Sequence, residues 1–237
     1  MAAMTREKRN STPRRAHAAV WAVVPIKRLA VAKQRLAQGL NGRREEFALR
    51  LACRTLDVLR DSALFQGLIA VTPDPQVAAE AAARGAEVVD DGDIALNAAC
   101  TLGIARAAER GADVCVLMPS DLALLTPQSL AEVIEHYRAL RDRAGPESIG
   151  LVRCKDGTGT NMVLLDPHRR FEPAFGADSF ARHLRGSPVH AHEMIASAIS
   201  FDIDSPADLA AYATAIRDAT DPLAALVRAL EIPRSGQ

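Results

Sequence analysis

The chain has 237 residues, 49% of them hydrophobic and 24% charged, and its 29 basic and 29 acidic side chains cancel. That length and apolar content support a sizeable core and exclude an intrinsically disordered protein. Four Cys are too few for a disulfide scaffold, and the lack of a positive excess argues against a general nucleic-acid binder.

The cancellation has unlike parts. Residues 1–17 hold Arg6, Lys8, Arg9, Arg14 and Arg15 against Glu7. The body from residue 18 therefore keeps 24 basic and 28 acidic residues, a net of −4. Residues 1–17 read as a disordered basic tail, and residues 18–237 as a single domain. A transit peptide is the alternative for an Arg-rich tail, but no amphipathic helix is apparent in it. No apolar run of about 18 residues occurs, so no membrane span is expected. With no signal-peptide pattern, and Cys53, Cys100, Cys115 and Cys154 scattered among apolar neighbours, the expectation is a cytoplasmic protein with reduced thiols.

Ala19–Val24 reads as a buried first strand, followed by a loop-like stretch from Ile26 to Leu40. Arg43–Ser62 has the apolar spacing of an amphipathic helix, with Phe47, Leu51, Leu56 and Leu59 on it. Gly67–Thr72 is a second strand, Gln76–Arg84 an Ala-rich helix closed by Gly85, and Ala86–Val89 a third strand. An acidic turn at Asp90, Asp91 and Asp93 leads into a helix over Ile94–Arg110. Asp113–Met118 is an apolar strand. Thr126 and Pro127 are the cap and first residue of a helix to Arg143. Alternating strands and helices predict a parallel sheet with helices on both faces. Beyond it, Ser148–Arg153, Asn161–Leu165, Ser187–His192 and Ala198–Asp202 read as strands. Ala177–Arg185, Pro206–Arg217 and Leu223–Leu230 read as helices. The fold class is α/β, with the second half laid on the same sheet.

Ligands of open α/β sheets bind beyond the carboxyl ends of the strands. Lys27 and Lys33 follow the first strand, Asp121 follows the Asp113–Met118 strand, and Asp202 and Asp204 follow the last predicted one. Only four of the 29 basic residues are Lys, and two of these fall in the first loop. A compact ammonium suits a phosphate. Three converging carboxylates would hold Mg²⁺. Helix capping is the competing explanation for Asp204, since Asp204-Ser205-Pro206 resembles a helix start. Gly157-Thr158-Gly159-Thr160 could expose amides to an anion or form a plain turn. Asp178 or Ser179 could cap a helix. The six His lack zinc spacing. No dinucleotide fingerprint, P-loop or nucleophile elbow occurs.

These segments together resemble the 2-phospho-L-lactate guanylyltransferase family. The resemblance is carried, in order, by Pro25-Ile26-Lys27 to Leu36, Leu96-Asn97, Pro119-Ser120-Asp121-Leu122, Asp156 to Asn161, Phe175-Gly176 with Ser179-Phe180, and Asp202 to Leu209. It implies a nucleotidyltransferase fold of the glycosyltransferase-A kind, a three-layer sandwich around a mostly parallel sheet. It implies transfer of GMP from GTP to a small phosphorylated carboxylic acid (2-phospholactate, phosphoenolpyruvate or 3-phosphoglycerate), releasing pyrophosphate, in coenzyme F-420 biosynthesis. Asp121, Asp202 and Asp204 then match the metal-binding acids. Thr160, Gly176 and Ser179 match the acid-binding positions. Lys27 and Lys33 match the loop over the GTP phosphates and, with Asp121, the catalytic groups, and Asn97 joins the nucleotide contacts. The implied cofactor is Mg²⁺, and the implied partner is a downstream transferase. Neither nucleic acid nor membrane is expected, and a homodimer is left open. A nucleotidyltransferase of different base or acceptor, and a non-catalytic nucleotide-binding protein, are the alternatives. A nucleic-acid module is opposed by an aromatic content of 4%.

Overall fold

The computed structural model describes residues 18–215 and 221–230. The basic tail and the end of the helix expected to reach Arg217 lie outside the described residues.

Four parallel strands come first: β1 (Val20–Pro25), β2 (Gly67–Val71), β3 (Glu87–Val89) and β4 (Val114–Leu117). They are joined by α1 (Arg44–Asp61), α2 (Pro75–Ala83) and α3 (Leu96–Glu109), and α4 (Pro127–Ala144) follows β4. The local signals act as expected. Asp74 caps α2 by accepting the Gln76 and Val77 amides. Thr126 caps α4 in a reciprocal box with Ser129, with Pro127 in the first turn. Gly85 and Gly111 follow their helices at φ +80° and +78°, a conformation that costs a residue without Cβ little.

The second half adds β5 (Ile149–Arg153), β6 (Thr160–Leu165), α5 (Ser179–Gly186), β7 (Ala191–Glu193), α6 (Ser197–Ser200), α7 (Pro206–Ala215) and α8 (Pro222–Arg228). The seven strands form one sheet in the order β3-β2-β1-β4-β6-β5-β7. Strand β6 runs antiparallel to both β4 and β5, and the remaining pairs are parallel. Pairing of Leu117 with Val163 therefore brings the start of β6, Thr160 and Asn161, to the carboxyl end of β4. One reversed strand supplies residues to the same edge as the parallel ones.

Alternate residues of β1 enter different cores. Ala22 and Val24 pack under α1, α2 and α4, while Val23 packs with Cys100, Ile104 and Ala107 of α3. Gly103 lets α3 approach the sheet. A Cβ there would lie 2.4 Å from Val23 Cγ1 and 2.9 Å from Val71 Cγ2. Alanine gains about 1 kcal/mol in helix propensity, but displacing two stiff β-branched side chains costs about 1–3 kcal/mol. The severe overlap puts the cost near the top of that range, so Gly103→Ala should lower stability by about 1–2 kcal/mol. A urea midpoint equal to that of the parent would contradict this packing account.

Three sequence readings are corrected. The Ile26–Leu40 stretch contains two 3₁₀ segments, Leu29–Val31 and Gln34–Leu40. The strand expected over Ser187–His192 is only Ala191–Glu193 at the sheet edge, because Ser187 accepts the His190 and Ala191 amides and closes a turn around Pro188. Ala198–Asp202 is not a strand. Ser197–Ser200 is one helical turn, and Phe201–Asp204 has no ladder partner. The Ile199 and Ser200 carbonyls instead accept from the Asn161 amide. Of the cysteines, Cys100, Cys115 and Cys154 are buried and Cys53 half-buried, all unpaired.

Candidate active site

The loop after β1, the loop after β4 and the segment before α7 meet at the carboxyl edge of the sheet. Lys33 stands at φ +52° and turns its side chain inward. Its Nζ lies 2.6 Å from Asp121 Oδ2, 2.6 Å from the Ile203 carbonyl and 2.7 Å from Asp204 Oδ1. Burial opposes the charge, but the two carboxylates outweigh it and raise the Lys33 pKa. Asp204 is likewise held below its usual range: burial works against ionisation, and Lys33 more than offsets it.

Each partner has its own anchor. Thr55 on α1 donates to the Ser120 carbonyl and fixes the turn that carries Asp121. Ile203 is fully buried with Phe47, Leu51 and Leu209, so Asp202 and Asp204 project away from that core. Asp202 receives the Asn161 amide at 3.3 Å and lies 3.6 Å from Lys155 Nζ. Burial, then the nearby charge of Asp121, push the Asp202 carboxyl above its usual range. Capping does not explain Asp204. Ser205 accepts the Asp208 amide, and Asp208 accepts the amides of Asp204 and Ser205, so the cap of α7 is Ser205.

The three acids therefore do not converge on one point. Lys33 separates Asp121 from Asp204, and among the described residues no group of three or more His, Cys, Asp or Glu is arranged to hold a metal ion. Two acids still fit a divalent cation. Asp121 Oδ1 is buried without a hydrogen-bond partner, and Asp202 is a carboxylate whose charge is disfavoured where it stands. Both are the oxygen donors that a hard cation takes. Asp204 would join them only by releasing Lys33.

Lys27 is exposed, with no ion-pair or hydrogen-bond partner among the described residues. It lines two adjoining hollows. One, of about 330 Å³, is bounded by Pro25, Lys33, Ser120, Asp121 and Asp204. The other, of about 270 Å³, is bounded by Pro73, Asp91, Asp93 and Leu96. A larger hollow of about 610 Å³ lies among α1, α2 and α8 and shares no lining residue with these two. Its size is no argument for chemistry.

Thr160 and Ser179 are brought together. The Thr160 amide donates to Ser179 Oγ at 2.9 Å, and both residues are buried. Ser179 is thus not a helix cap. Asp178 is left-handed at φ +52° and makes no side-chain cap either. Gly176 has φ +113°, in the loop just before them. Asn97 is placed differently from the expectation of a nucleotide contact. Its Oδ1 accepts the Phe175 amide at 2.8 Å, and its Nδ2 donates to the Phe175 carbonyl at 3.4 Å. It secures the Gly176 loop to α3.

The Gly157-Thr158-Gly159 amides are not an open anion cradle. They donate to the Cys154 carbonyl, Asp156 Oδ1 and Cys154 Sγ respectively. Donation from the Cys154 thiol, then from the Thr158 amide and hydroxyl, holds Asp156 down at about 2. Asn161 and His183 were not singled out from the sequence. Asn161 lies within a recognised motif, whereas nothing in the sequence marks His183, whose partners come from β6 and from the loop before α5. Burial, then the Arg182 charge, lower His183 to about 4. Neutral His183 therefore favours folding fully above about pH 6.5 and progressively less as pH falls toward 4. Replacing it with Asn should flatten stability across that window in pH-dependent urea unfolding. An unchanged slope would contradict the assignment.

The α/β sheet thus gathers lysines and carboxylates at its carboxyl edge. Solved structures agree on the fold. The 4-diphosphocytidyl-2C-methyl-D-erythritol synthase of Anaerococcus prevotii superposes with a TM-score of 0.56 at 10% identity, covering 84% of this chain and 97% of its own. A cytidylyltransferase of Leptospira borgpetersenii gives 0.53 at 12%, covering 93% and 99%. The family described as "Guanylyl transferase CofC like" matches residues 20–214, and the chain belongs to that family. Among its relatives is the phosphoenolpyruvate guanylyltransferase of Sphaerobacter thermophilus, 38% identical over 79% of this chain and 89% of the relative. The enzyme of the same name from Rubrobacter xylanophilus is 37% identical over 81% and 92%. No described helix is long and apolar enough to cross a membrane.

Proposed function

We propose that this guanylyltransferase moves GMP from GTP to the phosphate of a small phosphorylated carboxylic acid, phosphoenolpyruvate or a close analogue, for coenzyme F-420 biosynthesis. The observation that carries this reading is the Lys33–Asp121–Asp204 constellation on the carboxyl edge, in a chain whose relatives are named phosphoenolpyruvate guanylyltransferase.

A phosphate oxygen of the acid attacks the α-phosphorus of GTP. The bond from that phosphorus to the bridging oxygen breaks in line, and pyrophosphate leaves. The acceptor phosphate is largely ionised near neutral pH, so the chain need not supply a strong base. It supplies position and charge. The two adjoining hollows take the nucleotide, with Lys27 at their common wall and Lys33 next to the acids, where cations offset charge on the leaving pyrophosphate. Asp121 and Asp202 would hold Mg²⁺, which when bound polarises phosphoryl oxygens. Thr160 offers its hydroxyl to the acid, with Ser179 and the Gly176 loop beside it.

The test combines protein, Mg²⁺ and each nucleoside triphosphate with 2-phospholactate, phosphoenolpyruvate and 3-phosphoglycerate, with the downstream transferase present. GTP-dependent pyrophosphate with at least one acid is expected. Release with another triphosphate and none with GTP would instead indicate a different base.

A further inference from the structure

His183, on α5, is 3% exposed and has partners on two other segments, β6 and the loop before α5. Its Nε2 lies 3.0 Å from the Ala174 amide nitrogen, which donates to it. Its Nδ1 lies 2.9 Å from Thr160 Oγ1. Phe171 and Phe175 flank the ring at centroid distances of 5.4 and 4.9 Å. These contacts fix the tautomer. A backbone amide can only donate, so Nε2 carries no proton. A neutral imidazole then bears its hydrogen on Nδ1, and Nδ1 donates to Thr160 Oγ1. Ser179 Oγ is 3.4 Å from that oxygen and is itself a donor to it. Thr160 Oγ1 thus accepts from His183 and Ser179, and among the described residues it makes no hydrogen bond as a donor.

We infer that His183 is a positioning residue for the acceptor acid: by donating to Thr160 Oγ1 it turns the Thr160 hydroxyl into a committed donor toward an anionic oxygen of the bound acid. The same ring ties β6 to the loop carrying Gly176 through Ala174, so hydroxyl and loop hold one relative position. Asn97, whose side-chain amide bonds both the N–H and the carbonyl of Phe175, secures the next residue of that loop. The inference rests on the proposed function, because that reading places the acid at Thr160.

Two measurements on the full chain test it. Long-range ¹H–¹⁵N spectra of the free protein should show the Nδ1–H tautomer for one histidine, lost in His183→Asn and unchanged between about pH 5 and 8. In kinetics, His183→Asn keeps a donor near the Nδ1 position, whereas His183→Gln keeps a polar atom near Nε2 and loses the donor to Thr160. His183→Gln should raise KM for the acid by roughly ten- to hundredfold, the scale of a hydrogen bond to a charged group, and leave KM for GTP nearly unchanged. His183→Asn should recover most of that loss. An Nε2–H tautomer, equal acid KM in the two variants, or a matching rise in KM for GTP would overturn the positioning role, with wild-type turnover intact. No wild-type turnover with any acid, despite the Nδ1–H tautomer, would instead overturn the guanylyltransfer reading and the acceptor role with it.

Discussion

Asp121→Asn is expected to lower kcat by about a thousandfold, the scale on which losing one group that organises transition-state charge is felt. Asparagine preserves the shape of the side chain, and its oxygen can still accept from Lys33. What it loses is the charge that faces Lys33 on one side and the partnerless Oδ1 position on the other. Urea unfolding should change much less than the rate, because losing the ion pair with Lys33 is partly offset by relief of Asp202, whose carboxyl the Asp121 charge helps to push up. Steady-state pyrophosphate release at saturating GTP and acid checks the claim. A variant within a few-fold of wild type would remove Asp121 from the chemistry.

Lys33→Met should affect both turnover and stability, and in a way that identifies its position. Methionine keeps most of the apolar stem but removes the one ammonium between Asp121 and Asp204. Removing one member of a fully buried pair costs about 3–5 kcal/mol. Lys33 is 11% exposed, but Asp204 is half exposed, so solvent screens part of that cost. A loss of about 1–3 kcal/mol in unfolding free energy is the consequence. With the acids unpaired, added Mg²⁺ should raise the variant's melting temperature more than that of wild type. Turnover should fall by about a hundredfold if Lys33 also stabilises the leaving pyrophosphate. Equal Mg²⁺ shifts in variant and wild type would show that Lys33 and the cation do not share the acids.

The parallel half of the fold was legible because its signals are local. Thr126 and Pro127 name a helix start, Asp113–Met118 is apolar throughout, and Gly85 and Gly111 close their helices. The second half depended on partners that sequence spacing does not contain. Ala198–Asp202 has the composition of a strand, but its carbonyls are taken by Asn161 and Lys155. Ser187–His192 is interrupted by a turn around Pro188. At the site, Lys33 and Asp121 could be selected by position after a strand, whereas Asp204 follows an expected strand that does not form. Their mutual arrangement could not, because an interposed ammonium and an interposed cation demand the same residue types. Asn97 reaches the Gly176 loop across 78 residues and His183 joins that loop to Thr160, 23 residues away, so motif spacing does not reveal what either one holds.

The central claim is most directly tested by following the phosphorus atoms in a mixture of the full chain, Mg²⁺, GTP and phosphoenolpyruvate by ³¹P spectroscopy. The account predicts that pyrophosphate and a new pair of coupled diphosphate resonances appear together in equal amounts, and that neither appears without the acid. Pyrophosphate formed equally without the acid, or no GTP consumption with phosphoenolpyruvate or either analogue, would contradict it.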